Sequence, residues 1–177
     1  YFRAGSPTSE ELEQSKWRKL ICQLFGDVTD RDELFADLWD YYSQPQNWQL
    51  FDDVIPCWEL LLRESDALLI ASNFDSRLHS ILRAMPPLDQ VDAVFVSSEI
   101  GFPKPSRQFF EAVASAYSSQ DQFTMIGDDP VCDIAPAKAL GWKAIEIRRG
   151  GEPELGVVTD LRQLSDLPIL RSNQKTS

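Results

Sequence analysis

The chain has 177 residues, 43% hydrophobic and 25% charged, a balance that suits one globular domain with a sizeable core and excludes disordered, collagen-like and disulfide-rich classes. No apolar run approaches the roughly 18 residues a bilayer span needs, and the N-terminus lacks a secretory pattern, so a soluble, cytoplasmic protein is expected. With 28 acidic against 17 basic residues the net charge is −11, and no Lys/Arg cluster interrupts it, so neither nucleic acid nor membrane is an expected partner and a divalent cation is a better one.

The first fifty residues read as helical. Thr8 and Glu11 make a capping box, and Trp17, Leu20, Ile21, Leu24 and Phe25 follow at helical spacing, a stripe expected in the core. Cys22 lies in that stripe and, with Cys57, reads as a core filler; the three cysteines match no zinc spacing and suit a reducing compartment. A second helix starts at Asp30, with Leu34, Phe35, Leu38, Trp39 and Tyr42 on one face, and Pro45 breaks the pattern. From Phe51 onward helices and strands alternate. Val54, Ile55, Trp58, Leu61 and Leu62 mark a helix, and Ala67 to Ala71 a short apolar strand. Leu78, Ile81 and Leu82 mark the next helix, followed by a strand at Ala93 to Val96. Ser106 is the expected N-cap of a helix carrying Phe109, Phe110, Val113 and Tyr117. A strand at Phe123 to Ile126, a short helix ending near Gly141 and a strand at Ala144 to Ile147 complete the series. Strands buried on both faces and separated by helices predict an α/β fold with a doubly wound parallel sheet. Residues 172–177 read as a disordered tail.

Parallel sheets bind ligands beyond the carboxyl ends of their strands. After the first strand come Ser72 and Asn73, a hydroxyl and a carboxamide beside a helix N-terminus, suited to an anion or to capping by Asn73 or Asp75. After the second comes Pro103-Lys104-Pro105, in which the flanking prolines hold Lys104 in an extended segment; a solvated surface lysine is the alternative. After the third comes Gly127-Asp128-Asp129, then Asp133. Three carboxylates in six residues suit a hard cation such as magnesium, unless Asp129 only forms a turn and Asp133 only caps a helix. Together these describe a metal-assisted phosphate site.

These residues resemble the motifs of the haloacid dehalogenase superfamily: Ser72-Asn73 its second, Lys104 its third, Gly127-Asp128-Asp129 with Asp133 its fourth. Within it, the chain is most similar to the branch of haloacid dehalogenase-like hydrolase domain-containing protein three, through Trp48-Gln49, Ser72 to Leu78, Ser98-Glu99 with Pro103-Lys104-Pro105, and Gly127 to Asp133. The resemblance implies a magnesium-dependent phosphatase that turns over a small phosphate ester through an aspartyl-phosphate. Ser72, Asn73 and Lys104 would bind phosphate, and Ser72, Lys104 and Asp133 would form the catalytic group. Asp128 would be the magnesium ligand, with Asp129 and Asp133 completing the metal cluster. It also implies a division into the remainder of a helical cap (1–50), an α/β core (51–171) and the tail.

The family's first motif, an apolar strand followed by Asp-x-Asp, is absent. Asp27-Val28-Thr29-Asp30 and Asp52-Asp53 have no strand before them. The chain starts at Tyr1, without Met, and reads as a fragment lacking about 65–75 residues, including a central strand. Its loss would leave the Ala67–Ala71 and Phe123–Ile126 strands unpaired across a gap of about 10 Å, to be filled by the N-terminal segment or by strand exchange with another chain. Such a fragment is expected to be inactive alone. The alternative is a non-catalytic module of the same fold that keeps a phosphate-shaped pocket. A phosphoacceptor receiver domain is disfavoured because Lys104 precedes Asp128, and a dinucleotide site because no strand leads into a glycine-rich turn. His79 and Cys132 read as non-catalytic.

Overall fold

The structure, a computed structural model, describes residues 6–26, 29–117, 122–152 and 154–167. The tail at 172–177 and Val28 lie outside them. Helix α1 spans Glu10–Leu24 and α2 Arg31–Tyr41. Asp30 caps α2 as expected, accepting the Glu33 amide at 3.0 Å. The cap of α1 lies one residue later than its sequence reading. Ser9 accepts the Leu12 amide, while Thr8 is buried and donates to Glu13, which also pairs with Lys16 at 2.7 Å. The aromatic stripe is only partly internal. Ile21 and Phe35 are buried, but Leu24 and Phe25 are exposed, because they occupy the last turn where the chain leaves for α2.

Beyond a short turn at Pro45–Asn47 come α3 (Val54–Glu64), β1 (Leu69–Ser72), α4 (Arg77–Arg83), β2 (Ala93–Val96), α5 (Ser97–Ile100) and α6 (Arg107–Ala116). They are followed by β3 (Thr124–Gly127), a π-helical turn at Pro130–Ile134, α7 (Ala135–Ala139), β4 (Lys143–Ile147), β5 (Val157–Val158) and a 3-10 turn at Leu161–Asp166. The alternation read from the sequence is therefore present, with strand limits shifted. β1 starts at Leu69 and takes in Ser72, and β3 takes in Gly127, because their parallel ladders run on to Ser72 opposite Val96 and Gly127 opposite Glu146.

Among the described residues the strands form two parallel sheets, β1-β2 and β3-β4-β5. Both rest on one cluster. Phe109, Phe110 and Val113 of α6, with Ala137 of α7, form it, and Leu69 and Ala71 of β1 and Met125 and Ala144 of the other sheet pack against it. The opposite face of β3 and β4 carries Ile126, Ile145 and Ile147 against Cys57 and Leu61 of α3 and Leu164. This is the period-two alternation of strands covered on both sides. β1 and β3 are nevertheless only half-buried, not fully buried as expected. Each pairs on one side only, and an unpaired edge stays accessible.

The buried Asp53 at the start of α3 ties this helix to the C-terminal region. It accepts the Leu161 amide at 2.8 Å and the Arg149 guanidinium. Burial alone would raise its carboxyl, but these two donors outweigh it and hold it below the usual carboxylate range. Among the described residues no helix is long and apolar enough to cross a membrane.

Candidate active site at the strand ends

Lys104 is the centre of the site, and it is not a surface lysine. Gly101, at φ +88°, ends α5 and turns the chain; left-handed backbone of this kind favours glycine. Lys104 then sits in a turn with a cis peptide to Pro105, not in the extended segment expected from its prolines. The side chain of Asn73 explains this placement. Its Oδ1 accepts the Lys104 amide at 2.7 Å and its Nδ2 donates to the Lys104 carbonyl at 2.9 Å, so the carboxamide replaces a strand neighbour for that one residue. Asn73 thus fixes the backbone of Lys104.

The Lys104 ammonium is buried. Nζ donates to the Ala71 carbonyl at 2.9 Å and to Asp133 Oδ1 at 2.6 Å. A lysine has three such protons, so one remains. Ala71 immediately precedes Ser72, whose hydroxyl has no hydrogen-bond partner among the described residues. Lys104 therefore bridges the end of β1 and the turn after β3, two elements that share no ladder.

The three carboxylates after β3 diverge. Asp133 is buried and does not cap α7; its other oxygen accepts the Asp129 amide at 3.2 Å. Asp129 is the turn former, accepting the Val131 and Cys132 amides at 2.8 and 2.9 Å, and these donors hold its carboxyl below the usual range. Asp128 is exposed and has no partner among the described residues. No group of three His, Cys, Asp or Glu side chains among the described residues is placed to hold a metal ion; Asp133 is engaged by Lys104 and Asp129 by two backbone amides. The chemistry of the remaining donor still fits magnesium, which takes one or two carboxylates and fills its other positions with water and substrate phosphate.

Gly127 is required by the approach of Asp133. A Cβ at position 127 would lie 2.6 Å from the Asp133 Cβ, well inside any tolerated carbon contact. Ser106 holds the N-cap position of α6 without making a cap bond, and its buried hydroxyl has no partner among the described residues. His79 Nε2 lies 3.0 Å from the Glu99 carboxylate. Burial, then Asp129, push the Cys132 thiol up to about 11, so it is no nucleophile at neutral pH. Sequence reasoning missed the Ala71 carbonyl, which carries no side-chain signal, and the contacts of Glu10 and Arg77, whose partners are distant in sequence.

A family model described as haloacid dehalogenase-like hydrolase matches residues 5–141. The human haloacid dehalogenase-like hydrolase domain-containing protein 3 is 33% identical over 135 residues, covering 71% of this chain and 52% of that protein. The chain spans about half the length of the curated relatives it matches. Among solved structures, a HAD phosphatase from Thermococcus onnurineus superposes with a TM-score of 0.65 at 20% identity, over 92% of this chain and 93% of that one. A magnesium-bound HAD-hydrolase from Bacillus subtilis gives 0.62 at 19% identity, over 91% and 82%. Both likenesses establish the fold, and the motif order, the Lys104–Asp133 pair and the family match agree: the chain belongs to the haloacid dehalogenase-like hydrolases.

Proposed function

We propose that the chain carries the phosphate-binding and charge-balancing half of a magnesium-dependent phosphohydrolase that acts on a small phosphate ester. The observation that supports this reading is the Lys104 ammonium, oriented by Ala71 and Asp133 with one proton left, at the strand end where the Ser72 hydroxyl has no partner among the described residues. A fixed cation and such a donor, prearranged in a site that Asp133 keeps neutral overall, would stabilise phosphoryl oxygens without reorganisation. Ser72 would bind one phosphoryl oxygen and Lys104 would offset the phosphate charge. Asp133 would hold the ammonium in place, and Asn73 its backbone. Asp128 is the residue that would hold magnesium, which, when bound, supplies further neutralisation of the phosphoryl oxygens.

The aspartyl nucleophile of this chemistry would follow an apolar strand, and no such Asp-x-Asp occurs in the 177 residues. The chain by itself is therefore inactive on esters under this proposal. A parallel strand from an N-terminal segment, or from another copy, would pair with the open edges of β1 and β3 over α6 and supply it. The free cysteines suit a cytoplasmic setting.

The test is a titration of the purified chain with orthophosphate, followed by amide chemical shifts, beside an aryl phosphate assay with magnesium. Shifts centred on Ser72 and Lys104, lost in Ser72→Ala, with no turnover, are expected. A chain that binds no orthophosphate sinks the phosphate reading, and magnesium-dependent turnover sinks the half-site.

A further inference from the structure

Three contacts from the helical N-terminal region land on residues 74–77, directly behind Ser72-Asn73. From α1, the Glu10 carboxylate accepts the amide and the hydroxyl of Ser76, each at 3.0 Å, and the hydroxyl of Ser98. From α2, the Trp39 carbonyl accepts Arg77 Nη1 at 2.9 Å, and the Trp39 ring lies under the guanidinium, 3.4 Å from Cζ to the ring centroid. After α2, the Trp48 ring meets Phe74 edge-on at 5.8 Å.

Of these contacts, the one from Trp39 reaches Arg77, beside the two that hold Phe74 and Ser76. Arg77 Nε and Nη2 each donate to Asp75 at 2.7 Å, and Asp75, only 1% exposed, also accepts the Arg77 amide at 3.2 Å. The guanidinium is thus engaged at once by a carboxylate fork, a carbonyl and an aromatic face. A planar fork can do this and an ammonium cannot.

We infer that Arg77 is a positioning residue that couples the placement of α2 to the Ser72-Asn73 turn, so that the affinity of the turn for phosphate depends on how α2 sits against it. The inference rests on the phosphate reading of that turn. Asp75 is two residues from Asn73, and Asn73 fixes Lys104. If α2 moves without Arg77, the cation loses its ring and carbonyl; if Arg77 moves with α2, Asp75 is left as an unpaired buried charge, an expensive state. The turn therefore follows α2. Such coupling is reciprocal, so phosphate at the turn tightens α2 by the same factor, typically about 5- to 150-fold.

Two measurements on the full chain test this. In orthophosphate titrations, Arg77→Met and Arg77→Lys each weaken binding about tenfold, Trp39→Leu weakens it at least about fivefold, and Trp39→Phe, which keeps a ring, restores most of it. In hydrogen exchange, orthophosphate slows the α2 amides of the unaltered chain, a readout that needs no variant and does not depend on whether Arg77→Met folds. Variants that melt and bind like the unaltered chain, or α2 amides indifferent to bound phosphate, overturn the coupling and leave the phosphate reading standing. An unaltered chain that binds no orthophosphate overturns both.

Discussion

Lys104 and Asp133 are each poorly solvated, with side chains 10% and 6% exposed, and each is tolerable only because of the other. Removing one partner of such a pair leaves an uncompensated charge and costs about 3–5 kcal/mol, whereas replacing both by apolar groups of similar volume is near neutral. Lys104→Met should therefore lower stability by about that amount in urea titrations, and Lys104→Met combined with Asp133→Leu should recover most of it. Phosphate binding should be lost in both. Recovery of stability without recovery of binding is the result that separates Lys104's work on the ligand from its work in the fold. Equal, small losses in the two proteins would show that the pair is solvated in solution.

At the scale of elements, α6, with Ala137 of α7, does what no pairing among the described strands does, since their cluster is the common floor of both sheets. Phe110 is buried at its centre and meets Trp142 edge-on at 5.5 Å. Phe110→Ala should cost about 3–5 kcal/mol, measured by denaturant unfolding, and should raise hydrogen exchange in β1 and β3 together. Faster exchange in one sheet only would mean that the helix does not join them. Four of the strands and the longer helices were legible in the sequence because they are apolar runs and apolar periods, which are local signals; β5 and the short α5 carry too few residues for either and were not read. The ends were less legible: Ser72 and Gly127 join their strands through ladders with partners that no local pattern names. The site divides in the same way. Ser72, Lys104 and Asp133 stood out as chemically unusual residues at strand ends. The Asn73 clamp on Lys104 spans 31 positions and the Glu10 contact to Ser76 spans 66, and sequence spacing carries no trace of either. The partners within the carboxylate cluster were hidden in the same way: proximity along the chain suggested a shared cation, and the fold also gives Asp133 a lysine and Asp129 two amides.

Beside the acid surplus of the whole molecule, −11 at neutral pH, a few carboxylates with fixed partners give its stability a pH dependence. Asp53 and Asp129 are held below the usual range, and Asp160 is held at about 2, chiefly by the Arg162 guanidinium and amide. In the unfolded chain these groups titrate near 3.8. A depressed folded pKa contributes stability that is present above the unfolded value and is lost as pH falls through the folded one, because the unfolded state binds protons first. Stability should therefore decline from about pH 4 toward pH 2. On the alkaline side the sign reverses: burial raises the Cys57 thiol from 9.0 to about 11, so the unfolded chain loses its proton first and stability declines between about pH 9 and 11. Urea midpoints across pH should show a plateau with both shoulders. Asp160→Asn keeps an acceptor for the Arg162 amide but removes the titrating group, so the acid shoulder should become shallower while the alkaline one is unchanged. Cys57→Ala should make the alkaline shoulder shallower without abolishing it, because the Cys132 thiol is also raised to about 11, and should lower the plateau. An acid shoulder that is identical in Asp160→Asn would assign acid sensitivity to carboxylates other than this one, and an alkaline shoulder unchanged in Cys57→Ala would assign it to Cys132.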